Sequence, residues 1–290
     1  MSQPVDEGAC RRKLAKLEGL LRSLSSAVVA FSGGADSAFL AFVAHRVLGD
    51  RALAVTADSA SLARSELAAA VDFARQFGLR HQVVPTRELD DARYRRNTGD
   101  RCYFCKRALM DALEAIVAAS GQATVLVGVN TDDLGDYRPG QQAVRERGGR
   151  WPLVEAGLGK AEIRWLSREL GLPTWDKAAA ACLSSRIAYG VPVTPEALRR
   201  IEVAEEALRR LGLRQVRVRD QGHDLARIET DPGQIELLVA WRDTVVAELK
   251  RAGFLFVTLD LEGYRQGSHN LALGRRALPL VTVDAAEAGR

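Results

Sequence analysis

Residues 27–40 read AVVAFSGGADSAFL. A short apolar run, 27–31, meets Ser32, Gly33 and Gly34, and Asp36 and Ser37 then open a stretch with the apolar spacing of a helix. Glycine lets the backbone bend tightly, so successive N–H groups can face one anion, and the start of the helix adds its partial positive charge. Ser32 and Ser37 can donate hydroxyl hydrogen bonds, while Asp36 can hold a magnesium-bound phosphate or cap the helix. The loop lacks the lysine of a Walker loop and the third glycine of the dinucleotide fingerprint. What remains is a phosphate-cradling turn between a strand and a helix.

The same alternation continues on both sides. Apolar runs at 52–57, 81–86 and 124–129 are separated by amphipathic stretches at 62–77 and 104–120, with another helix at 9–25. Short buried strands alternating with helices predict an α/β fold, a doubly wound parallel sheet whose ligands bind beyond the carboxyl ends of its strands. The loops to watch are therefore 32–37, 57–61, 87–103 and 130–142. After AYGVPVTPE (188–196) the pattern changes to a helix (195–211), strands (214–219 and 225–230), a helix (233–252) and a strand (254–260). The expected organisation is a first domain over 1–190, a smaller C-terminal α+β domain over 191–272 and a tail over 273–290.

Composition narrows the chemistry. The chain has 290 residues and a formal net charge of +4, mildly basic and suited to phosphate-bearing ligands. Positive and negative charges mix evenly over 194–230, so no stripe for nucleic acid is expected. No apolar run is long enough to span a bilayer, and the first residues, MSQPVDEGACRRKLAKLEGL, lack a signal-peptide core, so a cytoplasmic location is expected. Four cysteines in such a chain read as thiols, metal ligands or catalysts rather than as a disulfide framework.

Three of those cysteines stand in informative places. DRCYFCKRAL (100–109) puts Cys102 and Cys105 in a CxxC at a helix start, after a loop holding Arg93, Arg95, Arg96 and Arg101. Such a pair can be redox-active, give half a zinc site, ligate an iron–sulfur cluster, or pack locally as two reduced thiols. The histidines at 45, 81, 223 and 269 are scattered and supply no partner ligands. AAAACLSSR (178–186) surrounds Cys182 with small side chains and sets Arg186 behind it. A lone cysteine is usually a small buried hydrophobe; room for a substrate and a nearby cation favour a reactive thiolate. Cys10, in the first helix, is away from every motif and reads as structural.

The 31–37 string resembles the SGGxDS loop of the PP-loop ATP pyrophosphatases. Taken with RCYFCK (101–106), VGVNTDDLGDYRPG (127–140), AAACLSSRIAYG (179–190), VRVRD (216–220), ARIE (226–229) and GYRQGS (263–268), it resembles one branch, the LarE family, over about 9–271. That resemblance implies a substrate, pyridinium-3,5-biscarboxylic acid mononucleotide, whose carboxylates are adenylated by ATP with Mg2+ and then converted in turn to thiocarboxylates. The family supplies the sulfur in two ways. In one, a cysteine matching Cys182 gives up its own sulfur and becomes dehydroalanine. In the other, three cysteines hold a 4Fe–4S cluster whose open iron carries the donor sulfide. Cys102, Cys105 and Cys182 form that set, which favours the cluster route.

The resemblance also assigns roles. Asp58 stands where PP-loop proteins contact the nucleoside, and Asp132 and Asp133 are placed for magnesium, substrate or loop capping. Arg186 would help hold a phosphate. Arg217 and Arg219 alternate along a strand, so they face one side and can clamp the mononucleotide phosphate, unless that side is a solvated face. Glu206 and Glu229 could form a second metal or subunit contact, and a homo-oligomer is expected. A PP-loop tRNA thiolase would share the loop and the cysteines but would want a basic surface. A non-catalytic metal carrier would leave the SGGADS loop without a use.

Overall fold

Ala27–Ala30 form strand β1, and all four residues are buried. The structure is a computed structural model that describes residues 5–120, 123–135, 139–178 and 181–265. The expected tail at 273–290 lies outside these, as do residues 136–138, 179–180 and 266–268 of the quoted motifs. In chain order, α1 (Glu7–Arg22) precedes β1. Then come α2 (Ala35–Leu48), β2 (Ala52–Asp58), α3 (Arg64–Gln76), β3 (His81–Pro85), α4 (Ala92–Arg95), α5 (Arg101–Ser120) and β4 (Thr124–Val127). They are followed by α6 (Pro139–Glu146), α7 (Pro152–Glu155), α8 (Lys160–Glu169), α9 (Pro195–Arg210), β5 (Val216–Asp220), β6 (Leu225–Thr230), α10 (Ile235–Ala240), α11 (Arg242–Arg251) and β7 (Phe256–Leu259). None of the described helices is long and apolar enough to cross a membrane.

The chain divides into two compact units, residues 1–88 with 103–182, and residues 89–102 with 183 onward. In the first unit the sheet order is β3-β2-β1-β4 and every pairing is parallel. The α/β fold expected from the alternation is therefore the one observed. β1 is buried on both faces, which is why its sequence is a continuous apolar run. Val29 and Phe31 pack with Leu17, Leu21, Phe39 and Leu40 on one side. Val28 and Ala30 pack with Val55, Met110 and Leu113 on the other. Each of the Val, Leu, Phe and Met side chains among them contributes about 1.5–3 kcal/mol. The chain moves outward from β1 to β2 and β3, then returns to place β4 on β1's other side. The order reverses between β1 and β4, and the crevice at their carboxyl ends is where a ligand belongs in such a sheet.

The exit of β1 is held by a small polar relay. Thr56 on β2 donates to the Phe31 carbonyl at 2.8 Å. Its hydroxyl has one proton, so His81 Nε2, also 2.8 Å away, is the donor of the second bond. The His81 ring packs edge-on against Phe31 at 5.6 Å. Burial lowers the His81 pKa from its ordinary 6.5. The folded chain thus resists a proton that the unfolded chain accepts, so this contribution is complete above about pH 6.5 and is lost as pH falls below it. His81→Gln is expected to flatten the acid limb of stability between about pH 7 and pH 5 in urea titrations; an unchanged limb would assign the loss to other groups.

In the second unit the order is β5-β6-β7, antiparallel then parallel. α9 starts at Pro195 behind Thr194, whose side chain accepts from the Ala197 N–H at 3.1 Å. It buries Leu198, Ile201, Ala204 and Leu208. The helix expected over 233–252 is interrupted at Trp241, whose φ of −98° and ψ of 18° leave the helical range. Residues 89–102 belong here because Asn97, fully buried with φ +55°, holds them to 187–191. Its amide donates to the Ala188 and Val191 carbonyls at 2.8 and 2.9 Å. The division between the two units accordingly runs at 88/89, 102/103 and 182/183.

Candidate functional site

The turn after β1 requires glycine twice over at Gly33. Its φ is +70°, and a Cβ there would lie 3.1 Å from the Ala70 Cβ. Gly34 is the N-cap of α2 and has no side chain to occupy the helix's first N–H groups. Ser37 Oγ accepts from the Ser32 N–H at 3.2 Å, lies 3.1 Å from Ser32 Oγ and donates to the Gly34 carbonyl at 3.1 Å. Gly128, just past β4, would place a Cβ 3.0 Å from the Ser37 nitrogen. Glycine is what allows β4 to end against the first turn of α2. Backbone donors, two hydroxyls and a helix start thus meet at the switch point, an arrangement that binds anions.

Asp36 divides its carboxylate between two situations. Oδ2 accepts from Lys160 Nζ at 2.7 Å, while Oδ1 is buried without a hydrogen-bond partner. A buried carboxylate oxygen with no donor fits a cation ligand, so the residue suits Mg2+. Lys160 also reaches Asp132, whose Oδ2 accepts the Lys160 backbone N–H at 2.6 Å. Asp36 and Asp132 are therefore brought together through one lysine. Asp133 instead caps its own loop, accepting from the Asn130 N–H at 3.1 Å. Asp58 is ion-paired with Arg64 at 2.6 Å at the end of β2. A second lysine borders the loop: Lys177 Nζ donates to the Gly33 carbonyl at 3.0 Å and pairs with Glu66 at 2.7 Å. Neither lysine was legible as a site residue, because the partners lie 124 and 144 positions away in sequence.

The second unit gathers arginines around buried carboxylates. Arg186 pairs with Glu205 at 2.9 Å, and Glu205 also accepts from Arg209 at 2.5 Å and from the Val218 N–H at 3.2 Å. Arg219 pairs with Glu229 at 2.6 Å and donates to the Ser185 carbonyl at 3.0 Å. Arg217 lies over the Tyr264 ring at 5.3 Å. Its pKa is lowered, first by burial and then by the nearby Arg186 charge. Both arginines of β5 are buried, so this side is not the solvated face that alternation alone allowed. Glu206 is exposed; its neighbour Glu205 is the inward residue.

Cys102 is exposed and Cys105 half-buried in the opening turns of α5, and the unit boundary passes between them. Cys182 is half-buried. Cys10 is fully buried, and burial raises its thiol pKa, as suits a packing role. Among the described residues, no three His, Cys, Asp or Glu side chains gather as a metal-binding group.

Comparison with known proteins places this geometry. Residues 16–128 match the family model described as NAD synthase. The chain is 49% identical to an uncharacterised protein of Synechocystis, over 90% of its own length and 98% of the relative's. It is 39% identical to the pyridinium-3,5-bisthiocarboxylic acid mononucleotide synthase of Lactiplantibacillus plantarum, over 92% and 96% of the two lengths. One subunit of the glutamine-hydrolysing GMP synthase of Thermoplasma volcanium is 27% identical over about half of each chain, 51% and 52%. With a synthase of a thiocarboxylated nucleotide aligned along nearly its whole length, the chain belongs to the LarE family, ATP-dependent sulfurtransferases of the PP-loop superfamily.

Proposed function

We propose that this enzyme adenylates the carboxylates of pyridinium-3,5-biscarboxylic acid mononucleotide and converts them to thiocarboxylates. The observation that carries the reading is the 39% identity to a synthase of the corresponding bisthiocarboxylic nucleotide. A carboxylate is a poor electrophile; attack of its oxygen on the α-phosphorus of ATP expels pyrophosphate and makes an acyl-adenylate. The turn of Ser32, Gly33 and Gly34, with Ser37, would hold the departing pyrophosphate. Asp36 would hold Mg2+, which supplies charge neutralisation on the phosphates. Asp58 would face the nucleoside, and Asp132 and Asp133 would hold magnesium or the substrate. Arg186, Arg217 and Arg219 would take the substrate's own phosphate. Sulfur then displaces AMP from the acyl carbon.

For the sulfur, we favour Cys102, Cys105 and Cys182 as ligands of a 4Fe–4S cluster. The donor chemistry fits: three thiolates can hold a cluster and leave one iron open for an exchangeable sulfide. The second reading is the sacrificial route, which needs Cys182 alone of the three thiols. There, the Cys182 thiolate forms a thioester, a base removes its Cα proton, and the Cβ–S bond breaks to release thiocarboxylate and leave dehydroalanine. Either route needs reduced thiols, in keeping with a cytoplasmic location. A homo-oligomer is part of the same proposal.

The test is anaerobic reconstitution with iron and sulfide, an absorption spectrum, an iron count and a product count per chain. A cluster spectrum with repeated turnover supports the first route. Iron-free protein giving one thiocarboxylate per chain, with dehydroalanine at Cys182, supports the second. Failure to release pyrophosphate with the biscarboxylic nucleotide sinks both.

A further inference from the structure

Lys160 holds the carboxylate that the proposed function assigns to Mg2+. Its ammonium donates to Asp36 Oδ2 at 2.7 Å, and the other oxygen, Oδ1, is buried without a hydrogen-bond partner. The lysine is the first residue of α8, and its backbone is fixed there. Its own N–H donates to Asp132 Oδ2 at 2.6 Å. The preceding Gly159 N–H donates to Glu162 Oε2 at 2.8 Å, and Lys13 of α1 pairs with the same carboxylate at 2.6 Å. A Cβ at Gly159 would press to 3.1 Å from Thr131 Oγ1 and 3.3 Å from Asp132 Oδ2, so glycine suits the close approach of the loop after β4. The side chain is less confined. Lysine carries its charge on a flexible four-carbon stem, and this one is 34% exposed. The backbone stays in place while the ammonium can leave Asp36.

Asp36 and Asp132 carry two negative charges, and the Lys160 ammonium offsets one of them. Two charges match a divalent cation; the one left over does not. A metal on Oδ1 would share a single carboxylate with the ammonium on Oδ2, and like charges a few ångströms apart repel even near a protein surface. Nucleotide changes the balance, because its phosphates offset both cations and offer the metal further oxygen ligands. Metal and nucleotide then favour each other's binding, and the coupling is reciprocal.

We infer that Lys160 competes with the divalent cation for Asp36, so that the site binds metal weakly alone and tightly only with nucleotide phosphate. The inference rests on the ATP-loop reading above and on Asp36 as its metal ligand. Lys160 is a positioning residue that acts through Asp36. It gives the first half-reaction an order: Lys160 releases Asp36 when ATP arrives with its cation and returns to it as pyrophosphate departs.

The experiment uses Mn2+ as the probe, counted by electron paramagnetic resonance on the whole chain, with and without α,β-methylene-ATP, which cannot be split at that bridge. In the wild type the analogue is expected to tighten Mn2+ binding about fiftyfold. Lys160→Met should bind Mn2+ alone about tenfold more tightly than the wild type, so that the analogue adds only about fivefold. Lys160→Arg, which keeps a cation, should behave like the wild type. Lys160→Gln, neutral and polar, takes the place of the methionine variant if that one does not fold. A neutral variant with native circular dichroism that binds Mn2+ alone no better than the wild type overturns the competition. So does loss of native circular dichroism in both neutral variants, which would make Lys160 a support of the fold only. Asp36→Asn that binds Mn2+ with the analogue as the wild type does would instead fell the metal reading of Asp36, whatever the lysine variants show.

Discussion

Cys182→Ala is expected to release pyrophosphate from ATP at close to the wild-type rate for the first turnover, yet to form thiocarboxylate at least about a thousandfold more slowly. In the proposed reaction the two halves use different groups. Adenylation would need the Ser32–Ser37 turn and Asp36. Sulfur transfer would need Cys182 in either proposed route, as ligand or as donor. The acyl-adenylate would then meet only water, returning the carboxylate with AMP, so ATP would be consumed without product. Pyrophosphate release and product mass, followed together, check this. Thiocarboxylate at the wild-type rate would place the sulfur source elsewhere and end the proposal. Cys102→Ala separates the routes, because it removes a cluster ligand while leaving the sacrificial thiol in place. Asp36→Asn is the converse control and should lose both steps.

How much of this was legible depends on how far each partner lies along the chain. β1 and its loop were readable because burial on both faces writes a continuous apolar run, and because Gly33 satisfies a positive φ that few other residues tolerate. The shared face of Arg217 and Arg219 followed from the period of a strand. What those arginines meet did not, because Glu229 arrives through antiparallel pairing with Arg217 and a diagonal to Arg219. Glu205 could have been preferred to Glu206. The buried stripe of α9 runs through Leu198, Ile201, Ala204 and Leu208, and Glu205 lies on it while Glu206 is a further 100° around the helix. Lys160 and Lys177 carried no local signal, since an exposed-looking lysine reads the same until tertiary folding supplies Asp36 or the Gly33 carbonyl. The inclusion of 89–102 in the second unit was equally hidden, because it depends on the Asn97 amide reaching carbonyls about ninety positions on.

Glu205→Ala is expected to destabilise the protein by about 3–5 kcal/mol, read as a lower urea midpoint. Glu205 is fully buried, and its partner Arg186 is only 4% exposed, so removing the carboxylate takes the counter-charge from a cation that water does not reach. Arg217 would lose the favourable field of the same group while keeping its repulsion from Arg186. Arg209, 39% exposed, can turn to solvent and adds little. The double change Glu205→Leu with Arg186→Leu separates stability from function. Replacing a buried ion pair by apolar side chains of similar size is often neutral or stabilising, so most of the lost stability should return. Affinity for the mononucleotide phosphate should not return, because one of its proposed cations is gone. A double variant that regained both would show that the Arg186–Glu205 pair serves the fold alone. A Glu205→Ala variant as stable as the wild type would mean that these arginines are held by other contacts. The single variant measures what it costs to leave such a cation buried without its partner, and the double variant asks whether substrate binding is the reason the pair is kept.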